Sequence, residues 1–428
     1  MRKKLLIALA ALLVLLLAGA AAAYLVLKPD RPEGGLDTEL EGVSLFQDTE
    51  ATVEEEETLE TTTEETETAA QPDGPPPERC WKSFGGNPQR TLALPNVQLG
   101  IPGKQLWRRY MHDVMEYPPT FCDGILYANL EHGVTVAMRA SNGRRLWERR
   151  HEKATASSPA IDGPRLIVSS HAGTVTGLRR SNGKVLWKLR VPGKVESSPV
   201  VVDGTAYFGT TEGRLFALNS TTGSVRWAYD TGGRMNASPS VIGNRVCNST
   251  YAGSIICVRK GSGREIWTTY VSRDALRMES FYASPSTDGR RLFTVARTGK
   301  VVALSVQSGR ILWTHHMGAL AYSTPAIANG TIYVSAFDGG IRALRASNGS
   351  VKWTRFVPGR ILAPALVVGD LVFVSTLEER TYGLRRSNGL IVWRLDRGKY
   401  SPGIATDRRY YFSTNGSLIA YRGRNGPR

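Results

Sequence analysis

Tryptophan stands at positions 107, 147, 187, 227, 267, 313, 353 and 393, a step of 40 residues broken once by a step of 46. A single continuous core does not produce such a ladder, whereas a structural repeat does, and the repeat governs how everything else is read. Ahead of each Trp from 147 onward, by 28 residues (29 once), stands a Pro: Pro119, Pro159, Pro199, Pro239, Pro285, Pro325 and Pro364. Between Pro and Trp come an apolar run, a Gly-bearing turn and a second apolar run. Asn-Gly, Thr-Gly or Ser-Gly then closes four residues before the Trp.

Each unit reads as four short strands of β-branched, aromatic and aliphatic residues joined by tight turns. In the unit ending at Trp227 these strands, a to d, are expected around Pro199 to Val202, Thr205 to Thr210, Arg214 to Asn219 and Ser224 to Asp230. The repeated Pro is expected at the first position of strand a, where a missing N–H is tolerated. Four-stranded units of 40 residues are the blades of a propeller, because such a sheet must stack both faces on neighbours. Seven complete a–d sets run from Pro119 to just past Trp393. An isolated d strand, Lys104 to Tyr110, precedes them, and strands a, b and c alone follow at Ser401 to Ile404, Arg409 to Thr414 and Ser417 to Arg422. The expected fold is therefore all-β: an eight-bladed β-propeller whose N-terminal d strand completes the C-terminal blade. The eight Trp are expected to pack between blades as structural docking residues.

The segment Gly213 to Trp227, with Leu215, Ala217, Leu218, Thr222 and Gly223 at fixed places, resembles the tryptophan-docking motif of PQQ-type (quinoprotein-like) propeller repeats. Similar segments end at Trp147, Trp187, Trp267, Trp313, Trp353 and Trp393, and Phe84-Gly85-Gly86-Asn87-Pro88-Gln89-Arg90-Thr91 resembles the lead-in before the first blade of that superfamily. The resemblance covers residues 81–428. Its dehydrogenase branch holds PQQ and calcium on the propeller axis beside a disulfide of adjacent cysteines. This chain has no Cys-Cys pair and lacks the long inserts of those enzymes. It is more similar to the non-catalytic envelope propellers resembling the lipoprotein of the outer-membrane β-barrel assembly machinery. What the resemblance implies here is a propeller without cofactor and without catalytic residues.

Residues 1–27 form a leader: Met-Arg-Lys-Lys, then an unbroken apolar run from Leu5 to Leu27. That run is long enough to cross a bilayer and longer than a usual secretory core, so it reads as a transmembrane signal-anchor with the propeller on the extracytoplasmic side of the cytoplasmic membrane. Cleavage within Ala18–Ala23 is the alternative, and no nearby Cys offers a lipoprotein anchor. Residues 28–78 hold 17 Asp/Glu against 2 Lys/Arg and no means of building a core, which makes them an acidic disordered linker. Roughly 50 such residues reach about 40 Å.

Residues 79–428, the propeller, then carry 49 Lys/Arg against 21 Asp/Glu, a net +28 against +16 for the whole chain. That charge suits either a well-solvated surface or attraction to anionic wall polymer or lipid. No nucleic-acid motif is present, and the propeller is expected to be a monomer. Export also bears on the four cysteines. Cys247 and Cys257 lie on strands b and c across the turn Ala252-Gly253 and are expected to pair, leaving Cys80 for Cys122; two reduced pairs are the alternative.

The face of b–c turns and d–a loops is the expected binding face. Its turns carry His132, His171, Glu212, Tyr251, Arg297 and Asp338, with Glu131, Glu378 and Glu379 beside them. His132 and His171 on adjacent blades invite a metal, but two His without a third ligand do not make a site. The one break in the period places six extra residues in a d–a loop, giving candidate binding residues Arg273, Asp274, Arg277, Met278, Glu279 and Tyr282. A neutral insertion is the competing reading. No nucleophile–base spacing or phosphate loop occurs. The sequence therefore favours a non-enzymatic, membrane-tethered envelope propeller acting as a scaffold or binding module for another protein. A PQQ- and metal-dependent alcohol or sugar dehydrogenase and a binder of anionic polymer or lipid are the alternatives.

Overall fold

The computed structural model describes residues 79–272 and 279–425; the leader 1–27 and the linker 28–78 lie outside them. Among the described residues there is no helix, and none long and apolar enough to cross a membrane. Eight sheets of antiparallel strands a to d form the blades of a propeller. Blade 3 shows the pattern, with Val200–Val202, Thr205–Gly209, Arg214–Asn219 and Val225–Asp230. Its strand b is buried throughout because neighbouring blades cover both faces, whereas strand d is mostly exposed on the rim. In blades 1 to 6 the repeated Pro falls one residue earlier than expected, immediately before strand a rather than on it. There its carbonyl is free to bond inward, as described below.

The ring closes through Pro102–Tyr110, which pairs antiparallel with Ser417–Gly423 and sets Trp107 opposite Ala420. Blades lock to one another through the Trp ladder. The Trp187 indole N–H donates to the carbonyl of Ser220 in the next blade at 3.0 Å. Its ring covers Gly223, where an added Cβ would lie 2.5 Å from the indole on a backbone with φ of +77°. Neither space nor conformation accepts a side chain there. The same contact recurs from Trp107 on Gly143 to Trp353 on Gly389. Trp393 instead stacks on Phe412, with ring centroids 5.1 Å apart.

Beneath the Trp of several blades lies a strand b aromatic paired with a small residue on strand c: Tyr127 opposite Ala137, Tyr207 opposite Ala217, Phe293 opposite Ala303 and Tyr333 opposite Ala343. Blade 4 places Cys247 opposite Cys257 at this position, fully buried and disulfide-bonded. The disulfide takes the place that an aromatic and an alanine take elsewhere. The double variant Cys247→Tyr/Cys257→Ala also gives up the covalent bond but refills the space, so it should lose less than Cys257→Ala alone. Cys257→Ala alone should lose about 2–4 kcal/mol. Denaturant titrations compare the two, and equal losses would show that the covalent bond, not the filled volume, matters.

Residues 79–101 form an arm that the four-stranded repeat does not anticipate. Cys80 is disulfide-bonded to Cys122, and Trp81 pairs with Phe121 on strand a of blade 1. Arm carbonyls then accept backbone N–H groups from strand a of blades 2, 4, 5, 6 and 7: Lys82 from Ile161, Pro88 from Val241, Gln89 from Thr287, Thr91 from Ile327 and Leu92 from Val367. Ala93–Leu94 ends as a fifth, parallel strand on blade 7. The arm thus circles the axis and closes the channel from inside.

At its centre Arg90 is fully buried. Its guanidinium donates to the carbonyls of Pro239 at 2.6 Å, Phe84 at 2.7 Å and Ser198 at 2.9 Å. A belt of hydroxyls surrounds it, since the N–H groups of Ser158, Ser198, Ser238 and Ser284 donate in turn to Ser198, Ser238, Ser284 and Thr324 on the next blade, at 2.8–3.1 Å.

Candidate functional site

One face is built by a repeated backbone bond between each b–c turn and the d–a loop entering the same blade. Glu131 donates to Val114, His171 to Ala154, Tyr251 to Arg234, Arg297 to Ser280 and Leu377 to Arg360, all at 2.8–2.9 Å. At the centre of this face, on the axis, opens a pocket of about 410 Å3. Phe84 of the arm contributes to its lining, so the channel is closed below. Tyr117, Tyr251, Tyr282, Tyr322, Phe337 and Tyr400 line the rest together with Glu116, small residues and prolines. Edge-to-face contacts run from Tyr251 to Tyr282 to Tyr322 to Phe337, with centroids 6.1–6.4 Å apart. Such packing fixes the rings.

Among the described residues Glu116 supplies the only carboxylate of the lining, and no described Lys or Arg joins it. Burial, followed by the charges of Glu131 and Glu196, pushes it up to about 7. Tyr117 and Tyr282, bonded to each other, are both pushed well up, first by burial. Beside the pocket Glu196 accepts from Asn236 and lies 3.6 Å from Arg234.

The residues singled out from sequence divide. Tyr251 and Tyr282 line the pocket. Glu279 is 6% exposed, ion-paired to Lys300 at 2.6 Å and bonded by the Thr298 hydroxyl, so it supports the loop. Arg273, Asp274, Arg277 and Met278 lie outside the described residues. His132 is exposed and bonds Asp113 at 2.6 Å, which raises its pKa. The His171 pKa is lowered by burial, against the opposing pull of Glu196. Glu212 is exposed, Arg297 serves the backbone bond above, and Asp338 caps the N–H of Gly340 at 2.9 Å.

His132 and His171 are not gathered into a metal-holding group. Among the described residues the only such group is Cys80, Cys122 and Asp123, whose two sulfurs are bonded to each other. The sequence carries a further signal for the pocket. Three residues before the repeated Pro, successive blades present Glu116, Ala156, Glu196, Asn236, Tyr282 and Tyr322. This is the most chemically varied inner position in an otherwise repetitive unit.

Eight four-stranded blades, Trp docking and a closed axis under an aromatic mouth define a PQQ-type β-propeller. The chain belongs to the family described as outer membrane protein assembly factor BamB, whose sequence profile matches residues 99–275 and 253–363, more than half of its length. Among solved structures, BamB from Moraxella catarrhalis matches with a TM-score of 0.65 at 16% identity, covering 76% of this chain and 99% of that one. A europium-containing methanol dehydrogenase gives 0.68 at 12% identity, over 78% and 87% of the two chains. Quinohemoprotein alcohol dehydrogenase from Comamonas testosteroni gives 0.67 at 12% identity, over 82% and 81%. At these identities the likeness establishes the fold alone. No curated protein sequence matches the chain.

Proposed function

We propose that this protein is a membrane-tethered, extracytoplasmic propeller that acts by binding, as a scaffold for another component of the cell envelope. Membership of the BamB-described family supports a binding role, and two disulfides support an oxidising compartment. Residues 1–27 serve as the anchor and 28–78 as the linker that gives the propeller its reach. The observation that carries the reading is the chemistry of the axial pocket.

PQQ is a tricarboxylate and needs cationic donors, and its metal needs converging carboxylates. Among the described residues the lining offers no Lys or Arg, and its one carboxylate is raised first by burial and then by the charges of Glu131 and Glu196. The residues present do not fit the quinone. The net +28 of residues 79–428 also favours contact with anionic polymer or lipid, as a general attraction that salt screens.

Cross-linking mass spectrometry on the native envelope tests the scaffold. The expected result is a set of cross-links from one protein converging on the face that carries Tyr251 and Tyr282. Cross-links scattered over the rim that vanish at high salt would replace the scaffold with a polyanion binder. Stoichiometric quinone in the purified protein would replace it with a dehydrogenase.

A further inference from the structure

The repeat makes the axial mouth a readable ring, one inner residue per blade. Glu116, Glu196 and Asn236 fall on one arc, and Tyr282 and Tyr322 on the next. Glu116 is the charged member of the pocket lining, and among the described residues nothing hydrogen-bonds or ion-pairs with its carboxylate. The charges that act on it, those of Glu131 and Glu196, have the same sign. Tyrosine rings face the same space, and an aromatic face attracts positive charge. Although the domain carries a net +28, no described Lys or Arg belongs to this lining.

We propose that the axial pocket binds a single ammonium group carried on an apolar body, with Glu116 as its counter-ion and Tyr117, Tyr282 and Tyr322 packing the carbons. This rests on the reading of the protein as a binder. The rim shows that such rings accept cations here. Arg234 stands 5.6 Å over Tyr251, Arg360 5.7 Å over Phe337 and Lys399 5.2 Å over Tyr400. Arg234 and Arg360 hold Glu196 and Glu378 in ion pairs, so those carboxylates do not serve a second positive charge, which favours one ammonium over a polyamine or a basic peptide. About 410 Å3 accommodates a small amine or a lysine side chain with its flanking backbone.

Calorimetric titration of the full chain in non-ionic detergent tests this, with choline as the probe because its ammonium does not titrate. Saturable binding is expected, and 3,3-dimethylbutanol, a neutral analogue, should bind at least about tenfold more weakly. The cation holds Glu116 ionised, so affinity should rise from pH 6 to 8 and then level. Glu116→Gln should lower affinity about tenfold and abolish that pH dependence, with its melting curve showing that the fold persists.

A peptide with one central Lys and no other charge, compared with its norleucine counterpart, separates the sources. Tighter binding of the Lys peptide than of the free cation assigns the group to a partner protein, and weaker binding assigns it to a small amine. No saturable cation binding, equal binding of the neutral analogue, or an unchanged Glu116→Gln variant would overturn the proposal. Any of these with the cross-links intact would remove the ligand assignment and leave the scaffold standing.

Discussion

Arg90→Ala should lower the unfolding free energy by about 3–5 kcal/mol, because three buried carbonyls lose a charged partner and a cavity opens on the axis. The carbonyls of Phe84, Ser198 and Pro239 belong to the arm, blade 3 and blade 4, so the loss falls on a junction of three elements. Burial lowers the Arg90 pKa from its ordinary guanidinium value to about 9, which leaves the group protonated at neutral pH. Because the folded value lies below the unfolded one, the burial penalty is constant below pH 9 and is relieved only above it. The effect of the substitution should therefore be flat from pH 6 to 8.

Arg90→Lys should recover little, since a point charge cannot reach three carbonyls set for a planar fork. Denaturant titration gives the stability, and hydrogen exchange at Leu92, whose N–H bonds to Gly85 across the arm, reports whether the arm has loosened. A loss under about 1 kcal/mol, with arm protection intact, would mean that backbone bonds alone hold the arm.

Trp227→Ala should cost about 3–5 kcal/mol, through lost burial and a cavity between blades 3 and 4. The reverse side of the same contact is Gly263, where a Cβ would stand 2.7 Å from the Trp227 ring at φ +68°. Gly263→Ala should cost about 2–4 kcal/mol, part from backbone strain and part from the clash. The two parts separate in a double-mutant cycle. In the Trp227→Ala background the clash partner is gone, so Gly263→Ala should cost only the backbone part, about 1–2 kcal/mol. Equal costs in both backgrounds would show that the indole does not press on the glycine.

The blades were legible because their signal is repeated. Trp, Gly and Pro at constant spacing each report one local demand, and eight copies make the period unmistakable. Ring closure was legible for the same reason, since Trp107 lacked the three strands that the segment 401–422 supplied. The arm was not legible, because it occurs once and is held mainly by backbone bonds that leave no pattern in side chains. Arg90 stood in plain view within the lead-in, yet no spacing marks a lone guanidinium that bonds three carbonyls from distant positions. The pocket was half legible. Tyr251 and Tyr282 were on the named face, whereas Glu116 and Tyr322 needed the repeat read for its exceptions rather than for its consensus. Glu279 pointed to function by composition but is spent on Lys300.

The position of Cys80 has a mechanical consequence. The chain enters the propeller at Arg79, whose N–H bonds Asp407 on the face opposite the pocket. One residue later it is covalently joined to Cys122 on strand a of blade 1. Tension on any segment ahead of residue 79 therefore passes through sulfur directly into blade 1 and never reaches the coil of backbone around Arg90. The load arrives on the side away from the aromatic mouth. Force on the chain ahead of Arg79 thus loads blade 1 and leaves the plug around Arg90 wound.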